Sequence, residues 1–174
     1  MDSSFFAYLQ QLELMAFFSG YPLVYALTLF FAGNQKVKNN FKNRIASLLP
    51  FGYALVGTLY AGLQLKKLYP DYSFENIKLS TQHPWLIFWA LLSILFWVPA
   101  LAKQKVFSLI HSLVFFLFLL RDLFLQLSSS SSDNSVVRND MDVYTNSLLI
   151  NIGAFVFVVV LSFVFTQRKK NVIS

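Results

Sequence analysis

Five apolar stretches separated by short polar segments run along this 174-residue chain. Each stretch is close to the ~20 residues that an α-helix needs to cross a hydrocarbon core of ~30 Å. The pattern therefore predicts an all-α polytopic integral membrane protein, with one membrane domain covering residues 1–174 and five transmembrane helices. The predicted spans are 14–32, 45–65, 84–102, 106–127 and 148–165.

Local sequence signals add detail to these spans. Gly20, Tyr21 and Pro22 interrupt the first span, and because Pro lacks a backbone N–H donor, a kink is expected there. Only residues 103–105 separate the third span from the fourth, so these two spans are predicted to form an antiparallel hairpin. Residues 128–147 are polar, begin with a run of serines and are predicted to form a flexible outer loop.

Composition narrows the class of protein. Hydrophobic residues make up 56% of the chain, which is too apolar for a soluble domain of this size. The absence of cysteine excludes disulfides, thiol catalysis and Cys-ligated metal sites. Because the sequence has no Gly-rich phosphate loop and no metal-binding His pair, no metal and no cofactor is expected. The net charge of +6 does not indicate nucleic acid, since the basic residues flank apolar stretches; the expected partner is the lipid bilayer.

Lysine and arginine predict the orientation of the spans. With the N-terminus outside, the inner segments are 33–44, 103–105 and the tail after residue 165, which together hold nine basic residues and no acidic one. The positive-inside rule therefore predicts an N-outside, C-inside topology. In the alternative, the first apolar stretch lies in the interface and four helices span, which would put an acidic N-terminal flank inside. The short loops favour a bacterial inner (plasma) membrane, with an organellar membrane as the alternative.

Several ionisable or amide side chains fall within or beside the predicted spans, which by default indicates function in a membrane protein. These candidate polar and pairing residues are Glu13, Lys66, Lys67, His111, Arg121, Asp122 and Asn151. At 1.5 Å per residue, Arg121 lies ~22 Å above the start of the fourth span, near the outer boundary of the hydrocarbon. Pairing between helices is expected there, Asp122 with Lys66 or Lys67 and Arg121 with Glu13; a binding or proton-handling role is the alternative.

The two histidines are predicted at different depths. His83 lies at the outer end of the third span, where Trp85 and Trp89 are expected as interface anchors, whereas His111 lies near the inner end of the fourth. A separation of roughly 20 Å prevents the two imidazoles from sharing one haem iron. His111 is therefore interpreted as a hydrogen-bonded packing residue, with membership of a proton path as the alternative.

Two helix faces carry small or polar side chains, which favour close packing of membrane helices. The second span has a seam of small residues at spacings of three and four: Ala54, Gly57, Thr58, Ala61 and Gly62. One side of the fifth span is also small and polar: Ser147, Asn151, Ala154, Val158 and Ser162. This second face is expected to pack on the seam or on a partner protein.

The sequence favours a non-catalytic accessory or scaffold subunit of a larger membrane complex. It has no catalytic motif, its loops leave no room for a soluble domain, and its seams suit other membrane subunits or a second copy of the chain. The alternative is a small transporter, channel element or ligand-binding membrane sensor that uses the outer-leaflet polar residues. An intramembrane enzyme is less favoured, because no spacing requires titratable groups to converge.

Overall fold

The computed structural model describes residues 3–32, 40–70, 72, 84–128 and 134–173, and the elements within these residues are helices. They are α1 (Ser3–Phe18), α2 (Tyr21–Ala32), α3 (Asn40–Ser47), α4 (Leu49–Lys67), α5 (Pro84–Leu91), a 3₁₀ helix (Leu92–Trp97), α6 (Pro99–Ala102), α7 (Lys105–Ser128) and α8 (Asn134–Ile173). The described part of the chain contains no strand, so the all-α prediction is confirmed.

Within the described residues, four helical segments are long and apolar enough to cross a membrane. They are Gln10–Phe31, Asn43–Lys67, Lys105–Leu125 and Met141–Arg168, which correspond to the predicted first, second, fourth and fifth spans. Helices suit this environment because they satisfy their backbone hydrogen bonds within one segment. The architecture is therefore that of a multi-pass membrane protein with four helices of spanning length.

The predicted third span is not one continuous α-helix. After α5 the chain continues as the 3₁₀ helix, and Val98 is extended (φ −72°, ψ 120°) before Pro99 starts α6. Pro99 explains this interruption, because it has no N–H donor and disfavours a helical conformation for the residue before it. Residues 84–97 form a shorter apolar helix of about 24 Å, and the uninterrupted helix expected over 84–102 does not form.

The expected kink in the first span is a break between two helices. α1 ends at Phe18 and α2 begins at Tyr21, with Ser19 and Gly20 in a turn between them. Pro22 lies in the first turn of α2, where a missing N–H donor removes no helical hydrogen bond. The interruption that these residues predict is confirmed.

α8 is longer than the predicted fifth span, because it begins at Asn134. The loop predicted over 128–147 is therefore wrong for residues 134–147, which are helical, while 129–133 lie outside the described residues. Residues 134–147 contain no Pro or Gly that would favour ending a helix. At 1.5 Å per residue, the 40 residues of α8 extend about 60 Å.

The contacts that α1 and α2 make show in which directions α4 and α7 run. Towards α4 they progress from Tyr21–Tyr53 through Phe18–Tyr60 to Glu13–Lys67. Towards α7 they progress from Tyr21–Ser108 through Phe18–Phe115 to Gln11–Asp122. Residue numbers rise along α4 and α7 as they fall along α1 and α2. α4 and α7 are therefore parallel to each other and antiparallel to the α1–α2 segment.

α8 runs antiparallel to α4. A Cβ atom added to Gly52 of α4 would lie 3.1 Å from the Cα atom of Phe155 in α8. Arg44, which precedes α4, hydrogen-bonds to Ser162, seven residues further along α8. Of the four segments of spanning length, α4 and α7 thus run in one direction, and α1–α2 and α8 run in the other.

The interior of the bundle is an aromatic core. Phe18, Tyr53, Tyr60 and Phe115 are each at most 1% exposed. Phe18 stacks on Phe115 with 4.8 Å between ring centroids, and it meets Tyr53 and Tyr60 edge-on. Such aromatic pairs contribute about 1 kcal/mol each beyond their area burial. The core also buries the hydroxyl groups of Tyr21, Tyr53 and Tyr60, which makes their hydrogen-bond partners important.

Candidate functional site

His111 of α7 is a buried polar residue within this aromatic core, 7% exposed. Its Nδ1 atom lies 2.7 Å from the Tyr53 hydroxyl oxygen, and its Nε2 atom lies 2.8 Å from the backbone carbonyl oxygen of Trp89. The imidazole also stacks on the Trp89 indole, with ring centroids 4.8 Å apart and 7° between the planes. His111 therefore links α7 to both α4 and α5.

The partners of His111 determine the tautomer of its ring. A carbonyl oxygen can only accept a hydrogen bond, so Nε2 carries a proton and donates it to Trp89. Nδ1 is then the acceptor of the ring, and the Tyr53 hydroxyl donates to it. Both ring nitrogens are used in contacts between helices, and no lone pair of the imidazole points towards a separate ligand site.

Trp89 does not lie where the sequence predicts it. In a straight antiparallel hairpin, Trp89 would lie near the outer interface and His111 near the inner one, yet the two rings stack. The 3₁₀ helix and the extended Val98 change the path of this segment relative to α7, which explains the difference. The other histidine, His83, lies outside the described residues.

A second buried hydroxyl contact joins α2 to the first turn of α7. The Tyr21 and Ser108 hydroxyl oxygens are 2.8 Å apart, and both side chains are buried. The Ser108 hydroxyl donates to the backbone carbonyl of Lys105 at 2.7 Å, so its single proton is used there. Tyr21 is therefore the donor to Ser108.

Two polar side chains of α8 satisfy backbone groups exposed by the break between α1 and α2. The Gly20 N–H donates to the Ser147 hydroxyl at 2.8 Å, and the Asn151 side-chain amide donates to the Phe17 carbonyl at 2.8 Å. A broken membrane helix requires such partners, because no water is available in the hydrocarbon region. A Cβ added to Gly20 would lie 2.6 Å from the backbone nitrogen of Leu148, so only glycine permits this approach.

At the end of the bundle where α4 finishes, the charged groups pair differently from the prediction. Glu13 forms an ion pair with Lys67, whose side chain is 47% exposed, instead of the expected pair with Arg121. The Asp122 carboxylate accepts a hydrogen bond from the Gln11 amide at 2.7 Å. Arg121 and Lys66 lie on the exposed surface. These contacts tie α1 to α4 and to α7.

At the opposite end, Arg44 ties α3 to α8. Its Nη2 atom lies 3.1 Å from the Ser162 carbonyl oxygen and 3.2 Å from the Ser162 hydroxyl, and it also hydrogen-bonds to the Thr166 hydroxyl. The guanidinium carbon lies 5.3 Å from the centroid of the Phe163 ring. In the sequence, Arg44 is only one of several basic residues that predict the orientation of the chain. Its role as an anchor for α8 becomes visible only in the tertiary structure.

The predicted small-residue seam of α4 divides between two environments. Ala54 and Gly57 are buried, and a Cβ on Gly57 would collide with the Ser93 hydroxyl of the 3₁₀ helix. Thr58 and Gly62 are exposed, while Ala61 is half-buried. No atom of the described residues lies within 4 Å of a Cβ added to Gly62. Part of the seam thus packs within the bundle, and part remains open.

The small polar face of α8 lies mainly within the bundle. Ser147, Asn151, Ala154 and Val158 are buried, and Ser162 is half-buried. It contacts the break between α1 and α2 as well as α4. Of these contacts, the one made by Asn151 was the most predictable from the sequence, because a lone amide in an apolar helix needs a hydrogen-bond partner. Gln11, Tyr53 and Trp89 carried no comparable signal, because amides near helix ends and aromatics within spans are common.

Chemically, these polar groups connect helices in pairs and do not converge. Among the side chains that the structure describes, no group of three His, Asp or Glu residues comes together. The Tyr60 hydroxyl and the Asn151 Oδ1 atom are buried without a hydrogen-bond partner in the same set of residues. An unpaired buried group of this kind costs about 1–3 kcal/mol, so these two atoms are the places where the core can accept a further polar group.

Comparisons with known proteins do not extend this picture. No family model, no curated protein sequence and no solved structure matches the chain. Its helices, their directions and the polar contacts between them therefore provide the evidence on its function.

Proposed function

We propose that the chain crosses the bilayer five times, with its N-terminus outside and its C-terminus inside. The parallel directions of α4 and α7 support this topology, because residues 68–104 must then return across the membrane between them. The apolar segment 84–102 is available for that crossing, as an interrupted helix. Basic residues without acidic ones at the Arg44 end of the bundle give the orientation.

The natural absence of cysteine makes this topology directly testable. Single variants Asp2→Cys, Tyr72→Cys, Gln104→Cys and Asn171→Cys would be treated with a membrane-impermeant maleimide in intact cells. We expect labelling of positions 2 and 72 from outside, and of 104 and 171 only after permeabilisation. Labelling of 72 and 104 from the same side would contradict a crossing by residues 84–102 and leave four spans.

We further propose that the protein is a non-catalytic accessory or scaffold subunit of a larger membrane complex, which binds its partner through transmembrane helices. One observation carries this proposal: among the described residues, glycines remain open on the surface, whereas the buried polar side-chain atoms, apart from the Tyr60 hydroxyl and the Asn151 Oδ1 atom, hydrogen-bond within the bundle. Gly62 of α4 and Gly153 of α8 are exposed, with no atom of the described residues within 4 Å of an added Cβ. Exposed glycines on membrane helices permit close approach of another helix.

The test is purification from native membranes in mild detergent, comparing Gly62→Leu and Gly153→Leu with Gly62→Ala and Gly153→Ala. The leucine variants should fold normally, since the sites are open, but at least one should lose a stoichiometric partner that the wild type and the alanine variant retain. The partner is another membrane subunit or a second copy of the chain. A monodisperse single protein, identical in all variants, would contradict the proposal.

A second candidate is a ligand-binding membrane protein, favoured by the unpaired Tyr60 hydroxyl and Asn151 Oδ1. If the Tyr60 hydroxyl serves no ligand, Tyr60→Phe removes an unsatisfied buried group and should leave stability equal or higher. A Tyr60→Phe protein that is as stable as the wild type but fails to replace it in the cell would favour the ligand-binding role over the scaffold role.

A further inference from the structure

Arg44 has one anchored guanidinium nitrogen and two nitrogens without a partner among the described residues. Within that part of the chain, Nη2 makes the hydrogen bonds of this side chain, to Ser162 and Thr166 of α8. The Nε and Nη1 groups donate to none of the residues that the structure describes. Because the anchored nitrogen and the Phe163 ring hold the guanidinium plane in place, the N–H groups of Nη1 point in a fixed direction.

Among the described residues, no carboxylate neutralises the charge of Arg44, whose side chain is half-buried. The sequence around it contains no acidic residue over 33–48, and the facing end of α8 contains none over 161–173. A partly buried charge is unfavourable unless an opposite charge accompanies it. An anion bound from outside the chain would therefore stabilise this site.

Position and geometry indicate the chemical class of that anion. Arg44 lies where the apolar part of α8 ends, at the depth of lipid headgroups in the proposed topology. A charge-assisted hydrogen bond from Nη1 to a phosphate oxygen suits this arrangement. Exposed basic residues of the same end, Lys103 and Arg168, attract anionic lipids and repel the cationic group of a zwitterionic headgroup.

We propose that Arg44, at the junction of α3 and α8, binds the headgroup phosphate of an anionic phospholipid. The bound phosphate completes the coordination of the guanidinium and holds the two helix ends together. In the proposed topology this lipid lies in the inner leaflet. Only that assignment rests on the topology, because binding itself does not depend on the orientation of the chain. If cysteine labelling reversed the topology, the lipid would still bind, in the other leaflet.

The experiment measures thermal unfolding of detergent-purified protein with added phosphatidylglycerol or phosphatidylcholine. Phosphatidylglycerol should raise the melting temperature of the wild type, and phosphatidylcholine should not. Arg44→Gln should weaken the apparent affinity for phosphatidylglycerol about tenfold or more, because a charge-assisted hydrogen bond is lost. Arg168→Gln is the matched control, since it removes the same charge from an exposed position of the same end, and it should change the affinity by about twofold or less.

Arg44→Lys covers the case in which Arg44→Gln does not fold. It keeps the charge but has a single nitrogen, which cannot take the positions of both Nη2 and Nη1, so it should retain the fold and lose affinity several-fold. Inorganic phosphate without lipid is the third arm. Equal stabilisation by free phosphate would overturn the lipid assignment. Equal stabilisation by both lipids, or equal losses in the lysine variant and the Arg168→Gln control, would overturn the site itself.

Discussion

α4 and α8 show that the more apolar membrane helix is the less buried one. The α8 span is the more apolar of the two, yet 17% of it is buried, against 50% of the α4 span. In a soluble protein the order would be reversed, because water drives apolar surface inward. Lipid removes that driving force between helices, and packing then depends on shape and on hydrogen bonds.

The two helices are held in correspondingly different ways. α4 contributes Tyr53, Tyr60 and Gly57 to the core, where rings and a close backbone approach supply contact. α8 contacts the bundle through a narrow polar face, with Ser147 and Asn151 at one end and the Arg44 anchor at the other. The exposed residues of α8 between 149 and 165 are apolar, as expected of a surface that faces lipid.

The largest loss of stability should come from Gly20→Ala. This variant tests whether the position of α8 depends on its close approach to the break between α1 and α2. The added Cβ would lie 2.6 Å from a backbone atom of Leu148, which cannot rotate away. We expect the free energy of unfolding, measured by SDS titration in mixed micelles, to fall by about 3 kcal/mol. Gly153→Ala on the open face of α8 should change it by less than about 1 kcal/mol. Equal effects would remove the distinction between the two faces.

The next effect concerns the core around α4. His111→Leu leaves the Tyr53 hydroxyl and the Trp89 carbonyl buried without their partner, and should lower the free energy of unfolding by about 2 kcal/mol. Combining it with Tyr53→Phe should cost less than the sum of the single changes, with a coupling of about 1 kcal/mol. Strict additivity in this double-mutant cycle would show that the His111–Tyr53 hydrogen bond contributes nothing.

A smaller effect is expected from Asn151→Leu on the polar face of α8. The change leaves the Phe17 carbonyl without a donor and should lower the free energy of unfolding by about 1 kcal/mol. The matched control is Asn146→Leu, an exposed asparagine on the same helix, which should have no measurable effect. If both variants behaved alike, the hydrogen bond at the helix break would not be what holds α8.

The smallest effect belongs to the ion pair at the end of α4. Because the Lys67 side chain is 47% exposed, Lys67→Met should lower the free energy of unfolding by about 0.5 kcal/mol or less. The difference should shrink further as salt is raised from about 0.1 M to 1 M. A salt-independent loss of more than about 1 kcal/mol would mean that this pair belongs to the buried core.

Sequence reasoning succeeded where the deciding interactions are local. Runs of apolar residues located four helices of spanning length, and the motif at Gly20 located the break, because backbone donors and side-chain hydrophobicity act within one segment. It failed at Val98 and at residues 134–147. The helix propensities of the residues at these two places are weak, so a single feature decides whether the helix continues. Pro99 interrupts the helix at Val98, and no Pro or Gly interrupts α8 over residues 134–147.

The same contrast applies to the polar residues. Their periodicity showed that Asn151 and Ser147 share one side of a helix, so their common burial was predictable. The partner of Glu13 was not, because choosing between Lys67 and Arg121 requires the rotation and tilt of three helices. Arg44 is the clearest case: its charge is visible in the sequence, whereas its contact with Ser162 joins residues 118 positions apart.

By itself the sequence determined that the chain is helical, where most of its apolar helices lie, where the first one breaks and which end carries positive charge. These properties follow from short-range chemistry and from the match between helix length and bilayer thickness. Only the tertiary structure decided that His111 stacks on Trp89, that α8 satisfies the break in the first helix, and that Arg44 bonds to α8 through one guanidinium nitrogen. Those outcomes depend on how helices rotate, tilt and pair, and residues far apart in the chain set that geometry together.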